Sequence, residues 1–146
     1  MRVVTQNFLP ARVHVREQAA DFKRFGERYG APWTPTILLL DSGGVERHRI
    51  EGFLPVEDFV AQVTLGLGHL ALQAGRWKDA ERHFQAVVQD FAGTDAAPEA
   101  LYWRGVARYK AGDAGALGET ARLLQTSYRD SAWAKKASVW SSGRDL

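Results

Sequence analysis

The groups in this sequence with the right types for catalysis or metal binding are His14, His48, His69 and His83, together with scattered serines and carboxylates; cysteine is absent. Without a thiol the residues can run no dithiol–disulfide cycle, form no disulfide, offer no thiolate to a metal and supply no cysteine nucleophile. The histidines are far apart along the chain, and none stands in an HExxH pattern or at another close ligand spacing, so no metal site is expected. Asp41-Ser42-Gly43-Gly44 could form an anion-binding turn, but no Walker lysine follows and the next residues alternate like a strand. No serine stands at a strand-to-helix elbow of the kind a hydrolase nucleophile occupies. Catalytic residues, cofactor and metal are therefore all expected to be none. His83, between Ala80 and Val87, is expected on a solvated helix face.

The elements that would position these residues follow from hydrophobic period. Val3, Val4 and Phe8 share one side at helical spacing, and Pro10 stops that turn. Residues 11–16 alternate apolar and polar, the period of a half-buried strand, which would put His14 in a strand. Ala19, Phe22, Phe25 and Tyr29 recur at three and four, predicting an amphipathic helix ended by Gly30. Ala31-Pro32-Trp33-Thr34-Pro35 is a stiff loop into the apolar run Thr36–Leu40. That run, the Ser-Gly-Gly turn and renewed alternation over 45–50 predict a β-hairpin, with Arg47 and His48 on opposite faces. Pro55 opens a helix with Phe59, Val60, Val63 and Leu67 on its apolar face.

After Gly66 every signal is helical: 67–74, 77–90, 98–111, 116–127 and 131–140, separated by Gly75, by Gly93-Thr94-Asp95, by Gly112-Asp113 and by Tyr128-Arg129-Asp130. Gly68, Ala71, Gly75, Trp77, Ala80, Phe84 and Val87 have counterparts at Gly105, Arg108, Gly112, Ala114, Leu117, Ala121 and Leu124, an offset of 37 residues. Gly68 and Ala80 would let two antiparallel helices approach, Gly75 and Gly112 would make the tight turns, and Trp77 and Phe84 would fill the space between helix pairs.

Leu67-Gly68, Gly75-x-Trp77-x-x-Ala80 and Phe84 resemble the tetratricopeptide repeat, about 34 residues in its common form, the extra residues fitting the 92–97 loop. Residues 98–113 followed by Tyr128–Ala134 look like the subclass in bacterial envelope-associated repeat proteins. In the second unit Ala114 stands where an aromatic is usual, and Gly115 and Gly118 interrupt its second helix; an internal glycine costs about 1 kcal/mol relative to alanine. The resemblance implies a peptide-binding concave face supplied by His69, Gln73, Tyr102, Arg104, Arg108 and Lys135, with helix packing through Gly68, Gly75, Trp77, Ala80, Phe84, Gly105 and Gly112. The packing role alone is the simpler account of the glycines and aromatics.

Residues 3–68 resemble the later two thirds of a thioredoxin-like domain, through Phe8–Val15, Phe25–Gly30, Thr34–Asp41 and the run Gly44-x-Glu46-x-x-Arg49-x-x-Gly52-Phe53. That resemblance implies a cis Thr34–Pro35 bond. It also implies a peptide-binding loop at Trp33, Thr34, Pro35 and Thr36 that pairs with an extended chain; a loop that merely turns the chain, with Trp33 covering the core edge, is the plainer alternative. The family's first strands and cysteine-bearing helix would lie upstream of Val3, and the strand between residues 11–16 and 36–41 would be lacking. Three arrangements could supply its hydrogen bonds: a longer chain that begins earlier, a second copy that completes the sheet, or rearranged elements. Pairing with a second copy is favoured, because an open central edge promotes association.

The expected fold class is thus α/β plus all-α: an incomplete thioredoxin-like α/β segment, residues 1–66, a C-terminal array of tetratricopeptide-like helical repeats, 67–140, and a flexible tail, 141–146. Charges are balanced, eight of each sign over residues 1–60 and eleven basic against nine acidic over 61–146, which argues against nucleic acid as a partner. Apolar runs such as Ile37–Leu40 are too short to span a bilayer, and no apolar signal core precedes Pro10, so the cytoplasm is the expected compartment. The expected function is a non-catalytic protein–protein interaction or homo-oligomer assembly module, a dimer in the simplest case. The alternative is a fragment of a thioredoxin-family thiol–disulfide oxidoreductase whose Cys-x-x-Cys lies upstream. The missing thiols give a direct expectation: in a turbidimetric insulin-reduction assay driven by dithiothreitol, adding this chain leaves the rate at the dithiothreitol blank, and any acceleration contradicts thiol inertness.

Overall fold

A computed structural model describes residues 2–142. In chain order it contains α1 (Arg2–Asn7), α2 (Ala19–Tyr29), β1 (Thr36–Leu40), β2 (Glu46–Glu51), α3 (Val56–Gln73), α4 (Trp77–Asp90), α5 (Ala96–Lys110), α6 (Ala116–Ser127) and α7 (Ala132–Ala137), with a 3₁₀ turn over Ser138–Ser142. The expected tail falls largely outside the described residues.

β1 and β2 form an antiparallel two-stranded sheet. Ile37 pairs with Ile50 and Leu39 with His48, whereas Leu40 pairs with Glu46, so Arg47 is an extra residue in β2. The turn is held by Asp41, whose Oδ1 accepts from the Gly43 and Val45 N–H groups and whose Oδ2 accepts from Arg47 Nε at 2.8 Å. The Val45 N–H, aided by Arg47 and the Gly43 N–H, holds the Asp41 carboxyl below its ordinary value against partial desolvation. Leu39 and Ile50, each 4% exposed, turn the apolar face of the hairpin toward α3.

Residues 11–16 are not a strand. The His14 Nδ1 accepts from the Arg16 and Glu17 N–H groups, the Gln18 side chain accepts from the His14 N–H, and the Gln18 N–H bonds back to the His14 carbonyl. These local bonds wind the chain into the turn that enters α2. Alternation alone makes no strand without a neighbour to pair with. α2 then ends as expected, with Gly30 at φ 58° and the Ala31 N–H bonded to the Gly26 carbonyl at 2.8 Å.

The second departure is α3. The sequence divides at residue 66, but one helix runs unbroken from Val56 to Gln73, so the residues expected as a separate helix over 67–74 are its last two turns. Gly66 and Gly68 lie two positions apart, hence nearly opposite on the helix. A methyl group at Gly66 would fall 2.3 Å from Leu39 Cδ2 and 3.1 Å from His48 Cβ, while one at Gly68 would fall 2.4 Å from the Phe84 ring. The glycines are seats for the hairpin on one side and α4 on the other. Ala61, Leu65, Ala80, Phe84, Val87 and Ala100 join the core around them, all 0% exposed.

The helical part repeats its backbone geometry at the 37-residue offset. Gly75 and Gly112 both have positive φ, 71° and 107°. Arg76 N–H bonds to Ala71 O and Asp113 N–H to Arg108 O; Gly75 N–H to Leu72 O and Gly112 N–H to Tyr109 O; Thr94 N–H to Phe91 O and Ser131 N–H to Tyr128 O. Gly105 mirrors Gly68: a methyl group there would lie 2.2 Å from Thr120 Oγ1 and 2.8 Å from Thr120 Cβ. Gly118 does not interrupt α6, and Gly115 stands just before its first residue. Ser131 Oγ caps α7 by accepting from the Ala134 N–H at 3.1 Å. Among the described residues no helix is long and apolar enough to cross a membrane.

Gly105→Ala should lower stability by about 1–3 kcal/mol, because the Thr120 Cβ can yield only if α6 moves. Gly93→Ala, where nothing lies within 4 Å, should change it by less than about 0.5 kcal/mol. Urea unfolding of both variants checks the contrast; equal effects would contradict the close approach.

Candidate functional site

Two places in the molecule combine unusual exposure or polarity with a defined position in the fold. The first is the open edge of the sheet beside α2. β1 is paired on one side only, and the described residues provide no second strand for it. α2 has a strongly one-sided apolar face yet contains no buried residue; Phe25 is 37% exposed. Leu9 (99%), Phe53 (87%), Val56 (79%) and Trp33 (70%) are also exposed. Scattered exposed apolar residues are ordinary, but an amphipathic helix without a buried residue is not.

What ties α2 down is polar. Arg49, on the sheet face opposite His48, donates to the Tyr29 carbonyl and, at 3.0 Å, to the Gly30 carbonyl. It is itself clamped by Glu46 at 2.7 Å and Glu51 at 2.9 Å, hydrogen bonds that hold its guanidinium more firmly protonated. The Tyr29 hydroxyl donates to the Gly44 carbonyl at 2.9 Å.

The loop Trp33–Thr36 runs along this region. The Thr34–Pro35 bond is cis. Thr36 Oγ1 donates to the Trp33 carbonyl at 2.6 Å, and the Gly52 N–H donates to the Pro35 carbonyl at 2.9 Å. The Pro35 carbonyl is therefore engaged within the chain, while the Trp33 side chain is exposed.

The second place is the junction between hairpin and helices. His48 of β2 stacks on His69 of α3, ring centroids 5.7 Å apart and planes 20° apart. His48 Nε2 meets Gln62 Oε1 at 2.9 Å, and His69 Nε2 meets Glu99 Oε1 of α5 at 3.1 Å. Phe84 and Trp103 each stand edge-on to His69 at 5.4 Å. Burial pushes the His48 imidazole below its ordinary value.

The residues expected to line one groove have different surroundings. His69 is covered by His48, Phe84 and Trp103, its side chain 14% exposed. Tyr102 belongs to an aromatic cluster with Trp133 at 5.1 Å and Trp140 at 4.5 Å, where burial raises its hydroxyl pKa. Arg104, two positions on and so on the opposite side of α5, donates to Gln85 of α4; burial, then the charge of Arg108, lowers its pKa. Arg108 is paired with Asp113 at 2.6 Å and Glu119 at 2.9 Å. Gln73 and Lys135 are exposed at the end of α3 and on α7. A straight count along the chain hid the helical angle separating Tyr102 from Arg104 and Arg108.

His83 is also corrected: it is half-buried, and desolvation lowers its pKa. Sequence reasoning missed the aromatic spine. Gly66, Trp103 and Trp140 share the 37-residue offset, and each faces the preceding unit: Gly66 meets Leu39 and His48, Trp103 meets His69, and Trp140 meets Tyr102. A search for that offset among aromatics would have found two of the three.

The described residues contain no group of three or more His, Asp or Glu side chains able to hold a metal ion. Residues 1–65 match the family model for a thioredoxin-like domain, and this segment is thioredoxin-like in fold. No curated protein and no solved structure matches the chain.

Since Arg49 provides the main polar tether of α2, Arg49→Met should make residues 19–29 exchange amide hydrogens about 10-fold faster while α4 and α5 keep their protection. Unchanged exchange in α2 would show that its apolar contacts suffice.

Proposed function

We propose that this chain is a protein-binding and assembly module without catalytic chemistry in these residues, in which a thioredoxin-like segment is seated on tetratricopeptide-like helix pairs and pairs its open strand with a second copy. The observation that carries the reading is the combination, in one short segment, of β1 open on one edge and α2 without a buried residue. Unpaired strand edges and uncovered apolar helix faces both favour association. The absence of cysteine removes the chemistry best known for the fold while leaving its strand edge able to bind.

A second copy suits this surface because residues 1–60 carry eight charges of each sign. Two such segments meet without net repulsion, which a strongly charged face would suffer. The tetratricopeptide-like reading of the helices is supported by the turn glycines, the cap hydrogen bonds and the Gly68 and Gly105 seats, all recurring at one offset.

The same open edge favours one rival. A strand earlier in the same polypeptide would also pair with β1, and the match of residues 1–65 to a thioredoxin-like domain fits a thiol–disulfide oxidoreductase whose Cys-x-x-Cys lies upstream.

Light scattering over a protein-concentration series separates the two. The assembly reading predicts a dimer that the double variant Phe25→Glu, Trp33→Glu converts to a monomer with its helical circular dichroism intact. A monomer at all concentrations, together with β1 amides that become protected only when the preceding reading frame is added, supports the rival.

A further inference from the structure

The hairpin and the helical part meet through a pair of imidazoles. We propose that the His48–His69 stack is a pH-sensitive clamp: it holds the β-hairpin on α3 when His48 is neutral and releases it on acidification. This inference rests on the junction geometry and is independent of what binds the open edge of β1.

The arrangement is asymmetric in a way that matters. His69 has a carboxylate partner, Glu99 Oε1 at 3.1 Å. His48 has a neutral one, Gln62 Oε1 at 2.9 Å. The carboxamide can accept a hydrogen bond from the ring but carries no charge to balance imidazolium. A proton gained by His48 therefore puts a positive charge in a half-buried position, stacked at 5.7 Å on the His69 ring. Gly66 closes the space on the α3 side, since even a methyl group there would lie 3.1 Å from His48 Cβ. The ring cannot shift far to gain water without lifting the hairpin.

The charged and titratable groups around His48 come from each element packed on it. α3 contributes His69, α5 contributes Glu99, and β2 contributes Glu46. Burial lowers the His48 pKa from its ordinary 6.5; the bond to Gln62 opposes this, His69 adds to it, and Glu99 and Glu46 oppose it more weakly. A docked His48 thus binds a proton less readily than one on a released, hydrated hairpin. The linkage has one sign: docking is fully retained above the released value of about 6.5 and is lost progressively as pH falls below it.

Two kinds of contact hold the hairpin to the helices. Leu39 and Ile50 supply its apolar contact with α3, and its other face carries the polar ties to α2. Loss of one favourable contact at the junction would act on the hairpin before it acted on α4–α6, which have their own core.

The test is amide hydrogen exchange on the full chain at about pH 7.5 and about pH 5.5, corrected for the intrinsic chemical rate. The clamp predicts that residues 36–51 lose protection severalfold at the lower pH, as a docked His48 that binds a proton less readily than a released one requires, while α6 changes little. His48→Gln should abolish the pH response. His83→Gln, which removes the other histidine with a burial-lowered pKa, should leave it in place. Equal loss of protection in hairpin and α6, or a response that survives in His48→Gln, overturns the clamp. Should His48→Gln fail to fold, the wild-type protein still decides: histidine-resolved NMR must show the His48 ring and the hairpin amides titrating at one midpoint, and different midpoints overturn the proposal.

Discussion

The structure depends on one helix being approached closely from two sides. α3 carries Gly66 toward the hairpin and Gly68 toward α4, and at each position a single added methyl group would collide with a packed side chain. This is why α3 lacks a polar face through its middle: Ala61, Val63, Thr64, Leu65, Gly66 and Gly68 are all buried. Burying a side chain the size of Leu65 contributes about 1.5–3 kcal/mol, and here it is secured by partners on both sides. Two glycines so near each other inside a helix cost about 2 kcal/mol of intrinsic propensity. Close packing on two faces is what offsets that cost.

The hairpin thereby takes a place in the helical series. Trp103 and Trp140 each project toward the unit before their own, and Gly66, one period earlier, faces Leu39 and His48. On the proposed repeat reading, the sheet would stand in place of a preceding helix pair. At the other end α7 and the 3₁₀ turn cover α5 and α6 through Trp133, Trp140, Ala134 and Ala137. Stacked helical units need their terminal apolar faces covered, and on the proposed repeat reading the thioredoxin-like segment would serve that purpose at the N-terminal end.

Elements with strong local signals were legible in the sequence: α2 from its three–four spacing and Gly30, the hairpin from Thr36–Leu40 and the Asp41–Gly44 turn, and α4 and α6 between their glycines. Elements governed by distant partners were not. The alternation of residues 11–16 has no strand to pair with, so His14 and Gln18 satisfy the backbone locally instead. The boundary expected at residue 66 falls inside α3, where Leu39 and His48 occupy the space of the missing Gly66 side chain. The groove residues were chosen by helix, whereas their surroundings depend on angle, which parts Tyr102 from Arg104. The histidine junction joins residues from β2, α3 and α5, and no spacing along the chain announces it.

The thioredoxin-like segment is the less completed part of the molecule. Its helix α2 is held by Arg49 and Tyr29 more than by burial, and β1 has one bare edge. The proposed pairing with a second copy would bring a strand and an apolar surface to it together. The most direct measurement is the protein-concentration dependence of amide exchange at Thr36–Leu40. Pairing with a second copy predicts that the outward-facing amides of β1 gain protection as concentration rises, while those bonded to β2 stay unchanged. Exchange at these amides that is fast and independent of concentration would contradict it.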